Sequence, residues 1–109
     1  MNNRHLILLI LGFIFTNLVC TAQNKIVYKE IDSTKLFLEV YSPEKVDSTK
    51  TYPAMVFFFG GGWNGGSTSQ FLHHAKYFSK RGIVCFLADY RTKTKNSTTP
   101  FESLKDAVT

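Results

Sequence analysis

Five of the seven glycines in this 109-residue chain fall in one short run, Gly60-Gly61-Gly62-Trp63-Asn64-Gly65-Gly66. Immediately before it stands AMVFFF, residues 54–59, a continuous apolar stretch opened by Pro53. Glycine weakens helix and strand alike and admits backbone that other residues avoid, so the run must be a tight irregular turn. An apolar stretch bounded by such a turn is expected to be a strand buried on both faces. The turn therefore sits at the carboxyl end of a buried strand, where folds that mix strands and helices place their ligands. Glycines there can turn backbone N–H groups inward and make a concavity for negative charge.

The segments around this point alternate. KIVYKEI (25–31) and KLFLEVY (35–41) have strand patterning, with Leu36, Leu38 and Val40 on one face, and Asp32-Ser33-Thr34 between them is a turn cluster. Together they predict an antiparallel hairpin. Residues 42–51 are polar and form a surface loop. FLHHAKYFSKR (71–81) places Phe71, Leu72, Ala75 and Phe78 at helical spacing, with Gly82 where a helix is closed by glycine. IVCFLA (83–88) is a second buried strand, Tyr90–Thr99 is a polar loop, and Pro100 opens a further helix over FESLKDAV. A hairpin followed by strand, helix and strand is the opening of an α/β fold with a mostly parallel sheet.

Composition limits the alternatives. Hydrophobic residues make up 44% and aromatic residues 15%, too much apolar surface for a solvated tail. The net charge is +5, but the basic residues are scattered with no run of five or six, so neither nucleic acid nor a membrane surface is indicated as a partner.

The start has a separate logic. Residues 1–5 are polar and carry Arg4, LILLILGFIF (6–15) is unbroken apolar sequence, and Cys20-Thr21-Ala22 offers small residues for cleavage. This is the order of a secretory signal peptide over residues 1–22, with cleavage after Ala22 and the domain proper over 23–109. The apolar run is shorter than the ~20 residues that cross a bilayer, so no stable membrane span is expected after cleavage. A lipoprotein anchored at Cys20 is the alternative, opposed by bulky Val19 and by Asn17. Cleavage removes one arginine and no acid, and leaves Cys85 without a partner for an internal disulfide. Cys85 then reads as a small buried hydrophobe, and the product as secreted or periplasmic.

The glycine run admits three readings. Gly60-x-Gly62-x-x-Gly65 spells the dinucleotide fingerprint, and Asp89 ends the next strand as a ribose-binding acid would. That fingerprint wants its last glycine inside the helix, whereas here polar residues 66–70 intervene, and an exported protein meets little dinucleotide. A second reading is a turn that only lets strand and helix pack. The third is a loop whose amides stabilise an oxyanion.

On that third reading three blocks occur in order: VFFFGGGWNGGS, then FLHHAKYFSKRGIVCFLADYR, then TPFESLKDA. From about Lys25 to its end the chain resembles the N-terminal part of an α/β-hydrolase of the carboxylesterase and lipase type, nearest the hormone-sensitive-lipase and bimodular feruloyl-esterase-like group. The resemblance implies an α/β-hydrolase sheet that stops before the nucleophile elbow. It implies that the backbone amides of Gly61 and Gly62 form the oxyanion hole, that Gly60 supplies the permissive turn, and that Trp63 walls the substrate pocket. It implies an ester substrate, with an acylated carbohydrate as one candidate, no cofactor and no metal. Phe59 departs from the family pattern, which usually has histidine there, so the loop must be held some other way. Asp89-Tyr90-Arg91 matches a DYR motif expected to order the loop.

A serine nucleophile on such a fold needs G-x-S-x-G, and the last glycine is Gly82. Ser67 and Ser69 lack flanking glycines. His73 and His74 are adjacent on one helix and diverge by ~100°, so they cannot chelate one metal as an i, i+4 pair can. Asp106 reads as a solvated or helix-packing carboxylate. The expectation is thus an oxyanion loop without serine, acid or base, in a chain inactive alone. The alternative is a small secreted binding protein, without catalysis, that uses the glycine loop and Trp63 as its surface.

Overall fold

The computed structural model describes residues 24–108, so the signal-peptide region and Cys20 lie outside the described residues. In order, the elements are β1 (Asn24–Ile31), β2 (Thr34–Tyr41), β3 (Ala54–Phe58), a 3-10 turn (Thr68–Phe71), α1 (Leu72–Ser79), β4 (Val84–Ala88), α2 (Lys93–Asn96) and α3 (Pro100–Ala107). The strands form one sheet in the order β1-β2-β4-β3. β1 and β2 are an antiparallel hairpin, closed by Asp32 in the left-handed region at φ 52°. β2 is antiparallel to β4, and β3 runs parallel to β4 from Ala54 opposite Val84 to Phe58 opposite Ala88. This is the α/β arrangement expected, a hairpin joined to a β-α-β unit.

Alternation along the strands sends odd-numbered residues of β3 and β4 to the face that α1 covers. Cys85, Leu87 and Ala75 are fully buried there, with Met55, Phe57, Phe71 and Phe78 around them. Burying a residue such as Leu87 contributes about 2 kcal/mol. Cys85 is a packing residue whose thiol burial pushes up in pKa. Gly82, at φ 87°, ends the α1 turn with its N–H on the Ser79 carbonyl at 3.1 Å.

Three expectations are corrected. β3 is not buried on both faces: among the described residues it is an edge strand, and Val56 and Phe58 are 51% and 44% exposed on the face away from α1. An apolar run records what a strand is compatible with, not which neighbours cover it. The helix predicted from Phe71 to Arg81 is shorter, since Phe71 belongs to the 3-10 turn and α1 ends at Ser79. The polar loop 90–99 contains the single helical turn α2, closed by Ser97 at φ 55°. In β2, Leu36, Leu38 and Val40 share one face, and the other face buries Glu39, whose carboxylate accepts from Thr68 Oγ1 of the 3-10 turn at 2.7 Å and lies 3.5 Å from Lys25 of β1.

Candidate active site

The glycine loop leaves β3 through Phe59, which is buried and stacked on Tyr90 with ring centroids 4.2 Å apart. The Tyr90 hydroxyl donates to the Phe59 carbonyl, and burial raises the pKa of that phenol. The Gly60 N–H donates to Gln70 Oε1 at 2.6 Å. Gly61 (φ 145°) then bends so closely past Gly65 that a Cβ on Gly61 would stand 2.0 Å from the Gly65 carbonyl oxygen. Gly62 and Trp63 are both left-handed, at φ 59° and 62°. Gly66, at φ 125°, lies against the Phe59 ring and the Gly60 carbonyl, 2.6 Å from each for a Cβ placed on it.

The far side of the loop is held by the start of α2. The Lys93 N–H donates to the Trp63 carbonyl at 3.0 Å, and Thr94 donates to the Asn64 carbonyl twice, from its N–H at 2.9 Å and its hydroxyl at 2.6 Å. The Asn64 N–H closes an internal turn on the Gly61 carbonyl at 3.1 Å. Among the described residues the Gly61 and Gly62 amides have no hydrogen-bond acceptor. They border a groove of about 300 Å³ walled by Phe58, Tyr90, Leu104 and Ala107. Trp63 lines both this groove and a second one of about 440 Å³ that runs past Lys93, Ser97 and Pro100. The combination is a rigid turn with two unspent donors beside an apolar groove, which suits an oxygen that develops negative charge.

Behind the loop lies an ionic knot. Arg91 binds the buried Asp106 through its side chain and its own N–H, and Lys29 stands 3.5 Å from the same carboxylate. Burial would raise the Asp106 pKa, but the Arg91 hydrogen bonds outweigh it and hold the carboxyl below its ordinary value. The solvated alternative for Asp106 is therefore replaced by a buried ion pair. Tyr28 donates to the Asp89 carbonyl at 2.5 Å, and burial, with Asp106 and Asp89 nearby, pushes its phenol up to about 12. Of the DYR residues, Tyr90 meets the loop entrance at Phe59, whereas Asp89 meets Tyr28 and Lys95, and Arg91 holds Asp106.

The other polar candidates stand apart from the loop amides. Ser67 and Ser69 hydrogen-bond each other at 2.5 Å on the surface. His73 and His74 are exposed on α1, with the His74 ring against Phe71 and Phe57. Among the described residues no hydroxyl is hydrogen-bonded to a histidine, no group of three His, Cys, Asp or Glu is placed to hold a metal ion, and no helix is long and apolar enough to cross a membrane. Sequence reasoning missed Gln70 and Thr94, whose roles depend on partners 10 and 30 residues away. The α3 start was legible: Pro100 follows Thr99, whose N–H donates to Glu102 Oε2 at 2.8 Å.

No family model matches the chain. Over 62 residues, 56% of its length, it is 34% identical to the neuroligin-like protein glit-1 of Caenorhabditis elegans, of which this covers 8%. Among solved structures it is similar to the thermophilic esterase 2 of the planctomycete Thermogutta terrifontis. Its propionate-bound form aligns at 37% identity and TM-score 0.76 over 80% of this chain and 32% of that one. The same enzyme phosphorylated by paraoxon gives the same identity and TM-score over 34% of its length. The chain spans about a third of the esterase structures it matches, and over that third it has an esterase-like α/β fold.

Proposed function

We propose that this chain supplies the oxyanion loop of an exported serine carboxylesterase of the α/β-hydrolase type. The observation that carries this reading is the pair of unspent amides at Gly61 and Gly62 beside an apolar groove at the carboxyl end of β3. In this role Gly61 and Gly62 donate to the oxyanion of the tetrahedral intermediate, and Trp63 walls the substrate groove. The nucleophilic serine that forms the acyl-enzyme, and the histidine and acid that activate it, are supplied by sequence other than residues 1–109. The substrate is a carboxylic ester. The propionate and butyrate complexes of the Thermogutta esterase support a short acyl group, and an acylated carbohydrate is a further candidate for the alcohol side. Residues 1–22 direct export, to the periplasm or the medium.

A chimaera tests this reading. Residues 24–108 replace the matching third of the Thermogutta esterase, and hydrolysis of p-nitrophenyl butyrate is measured. The chimaera is expected to turn over, and Gly61→Ala, which drives a Cβ into the Gly65 carbonyl, to lower kcat by about 100-fold. The 109-residue chain alone is expected to show no turnover above background. A folded chimaera without activity, or an isolated chain with it, would overturn the proposal.

A further inference from the structure

The three amides of Gly60, Gly61 and Gly62 are consecutive, yet only the first is spent, and the residue that spends it is Gln70. Its effect follows from the peptide plane it touches. The Phe59–Gly60 peptide carries the Phe59 carbonyl at one end and the Gly60 N–H at the other. The Tyr90 hydroxyl binds that carbonyl, and the Gln70 carboxamide binds that N–H, so the plane is held at both polar ends. A peptide held this way cannot rotate about its flanking bonds without breaking two hydrogen bonds, and the Gly61–Gly62 plane is held in turn by the Asn64 N–H on the Gly61 carbonyl, so the Gly60–Gly61 plane lies between two fixed ones.

Gln70 is itself well anchored. It lies in the 3-10 turn, with its N–H on the Ser67 carbonyl at 3.2 Å. The same turn is fastened to the sheet by Thr68 on the buried Glu39 carboxylate and by Phe71, stacked on Phe57 at 5.3 Å. Gly60 does not have a positive φ, and a Cβ there would meet Gln70 only at an ordinary 3.6 Å. Glycine's conformational freedom therefore does not explain the geometry at position 60. The Phe59 ring makes no hydrogen bond, so a polar tether on this side of the loop entrance comes from Gln70.

We infer that Gln70 is a positioning residue of the glycine loop: by taking the Gly60 N–H it orients the Gly61 and Gly62 amides toward the groove. The inference deepens the oxyanion-loop reading and rests on it for its catalytic meaning. Its test is amide hydrogen exchange on the full chain at low micromolar concentration, read by mass spectrometry with fragmentation at single residues. Gln70→Leu, similar in size but without an acceptor, is expected to speed exchange at Gly60 by about three- to tenfold and to alter exchange at Gly61 and Gly62, with Leu87 in β4 unchanged. Gln70→Glu keeps an acceptor oxygen and is expected to restore the slow exchange. Unaltered exchange at residues 60–62 in Gln70→Leu, failure of Gln70→Glu to restore it, or an equal acceleration at Leu87 would overturn the inference. No turnover is read here, so this result and that of the chimaera fail independently.

Discussion

The guanidinium of Arg91 grips the carboxylate of Asp106 with Nη2 to Oδ1 at 2.9 Å and Nε to Oδ2 at 3.0 Å, and the Arg91 backbone N–H adds a third bond at 3.0 Å. Asp106 is 1% exposed, so this pair fastens α3 to the segment that follows β4 from inside the protein. Ser103 returns a hydrogen bond to the Arg91 carbonyl at 2.5 Å, and Lys29 reaches the Lys105 carbonyl at 2.9 Å. The groove wall formed by Leu104 and Ala107 is therefore placed by charges on the other side of the same helix.

Removing one partner of a buried pair leaves the other charge unpaired. Asp106→Ala is expected to destabilise the chain by about 3 kcal/mol in urea unfolding, and more than Arg91→Met with Asp106→Leu together. A loss below about 1 kcal/mol would show that the pair does not hold α3.

The same carboxyl gives a pH dependence whose sign is set by its lowered pKa. A carboxylate with a folded pKa below its unfolded value of about 3.9 contributes stability that is present above that value and lost as pH falls through the folded one. Asp106→Asn is expected to be less stable than the parent at pH 7, with the difference shrinking as pH falls below about 4. Unfolding curves at several pH values check this, and a constant difference would contradict it.

Tyr28 acts in the opposite direction. Its phenol is pushed up to about 12 against an ordinary value near 10, so its stabilising effect is present below about 10 and is lost as pH rises toward 12. Absorbance at 295 nm is expected to show late ionisation from Tyr28 and Tyr90, with the component near 12 lost in Tyr28→Phe. That variant should also lose less stability than the parent between pH 10 and 12.

Tyr90→Phe keeps the ring on Phe59 and deletes the hydroxyl on its carbonyl. The expected cost is about 1 kcal/mol. Gly66→Ala is expected to cost more, because its Cβ would meet both the Phe59 ring and the Gly60 carbonyl at 2.6 Å. Gly82→Ala serves as the comparison: it has the same kind of backbone, φ 87°, with nothing within 4 Å, and its cost is expected near 1 kcal/mol. Thermal melts of the three variants give the order, and equal losses at Gly66 and Gly82 would deny that the loop is tightly packed.

The open face and edge of β3 invite pairing between chains, since an edge strand presents unspent backbone donors and acceptors beside apolar side chains. Val56→Lys is expected to lower self-association in light scattering without altering the far-ultraviolet circular dichroism. Association that persists unchanged would place the contact elsewhere.

Residues 54–88 show how far periodicity reaches. The run AMVFFF, the glycines after it, the helical spacing of Phe71, Leu72, Ala75 and Phe78, and the run IVCFLA determine a strand, a turn, a helix and a strand, because each depends on neighbours within about one helical turn. The hairpin turn at Asp32 and the α3 start at Thr99-Pro100 are local in the same way. Only the tertiary structure decided that Val56 and Phe58 leave one face of β3 exposed, that Glu39 and Asp106 are buried with partners, and that Tyr90 and Gln70 hold the two ends of the Phe59–Gly60 peptide. Those relations join residues 10 to 77 positions apart, and they exist because the sheet order β1-β2-β4-β3 brings distant side chains within range of one another. Local preference carries no record of that order. So the glycine run was legible as a tight turn after a strand, while the side chains that fix which of its amides are free were not.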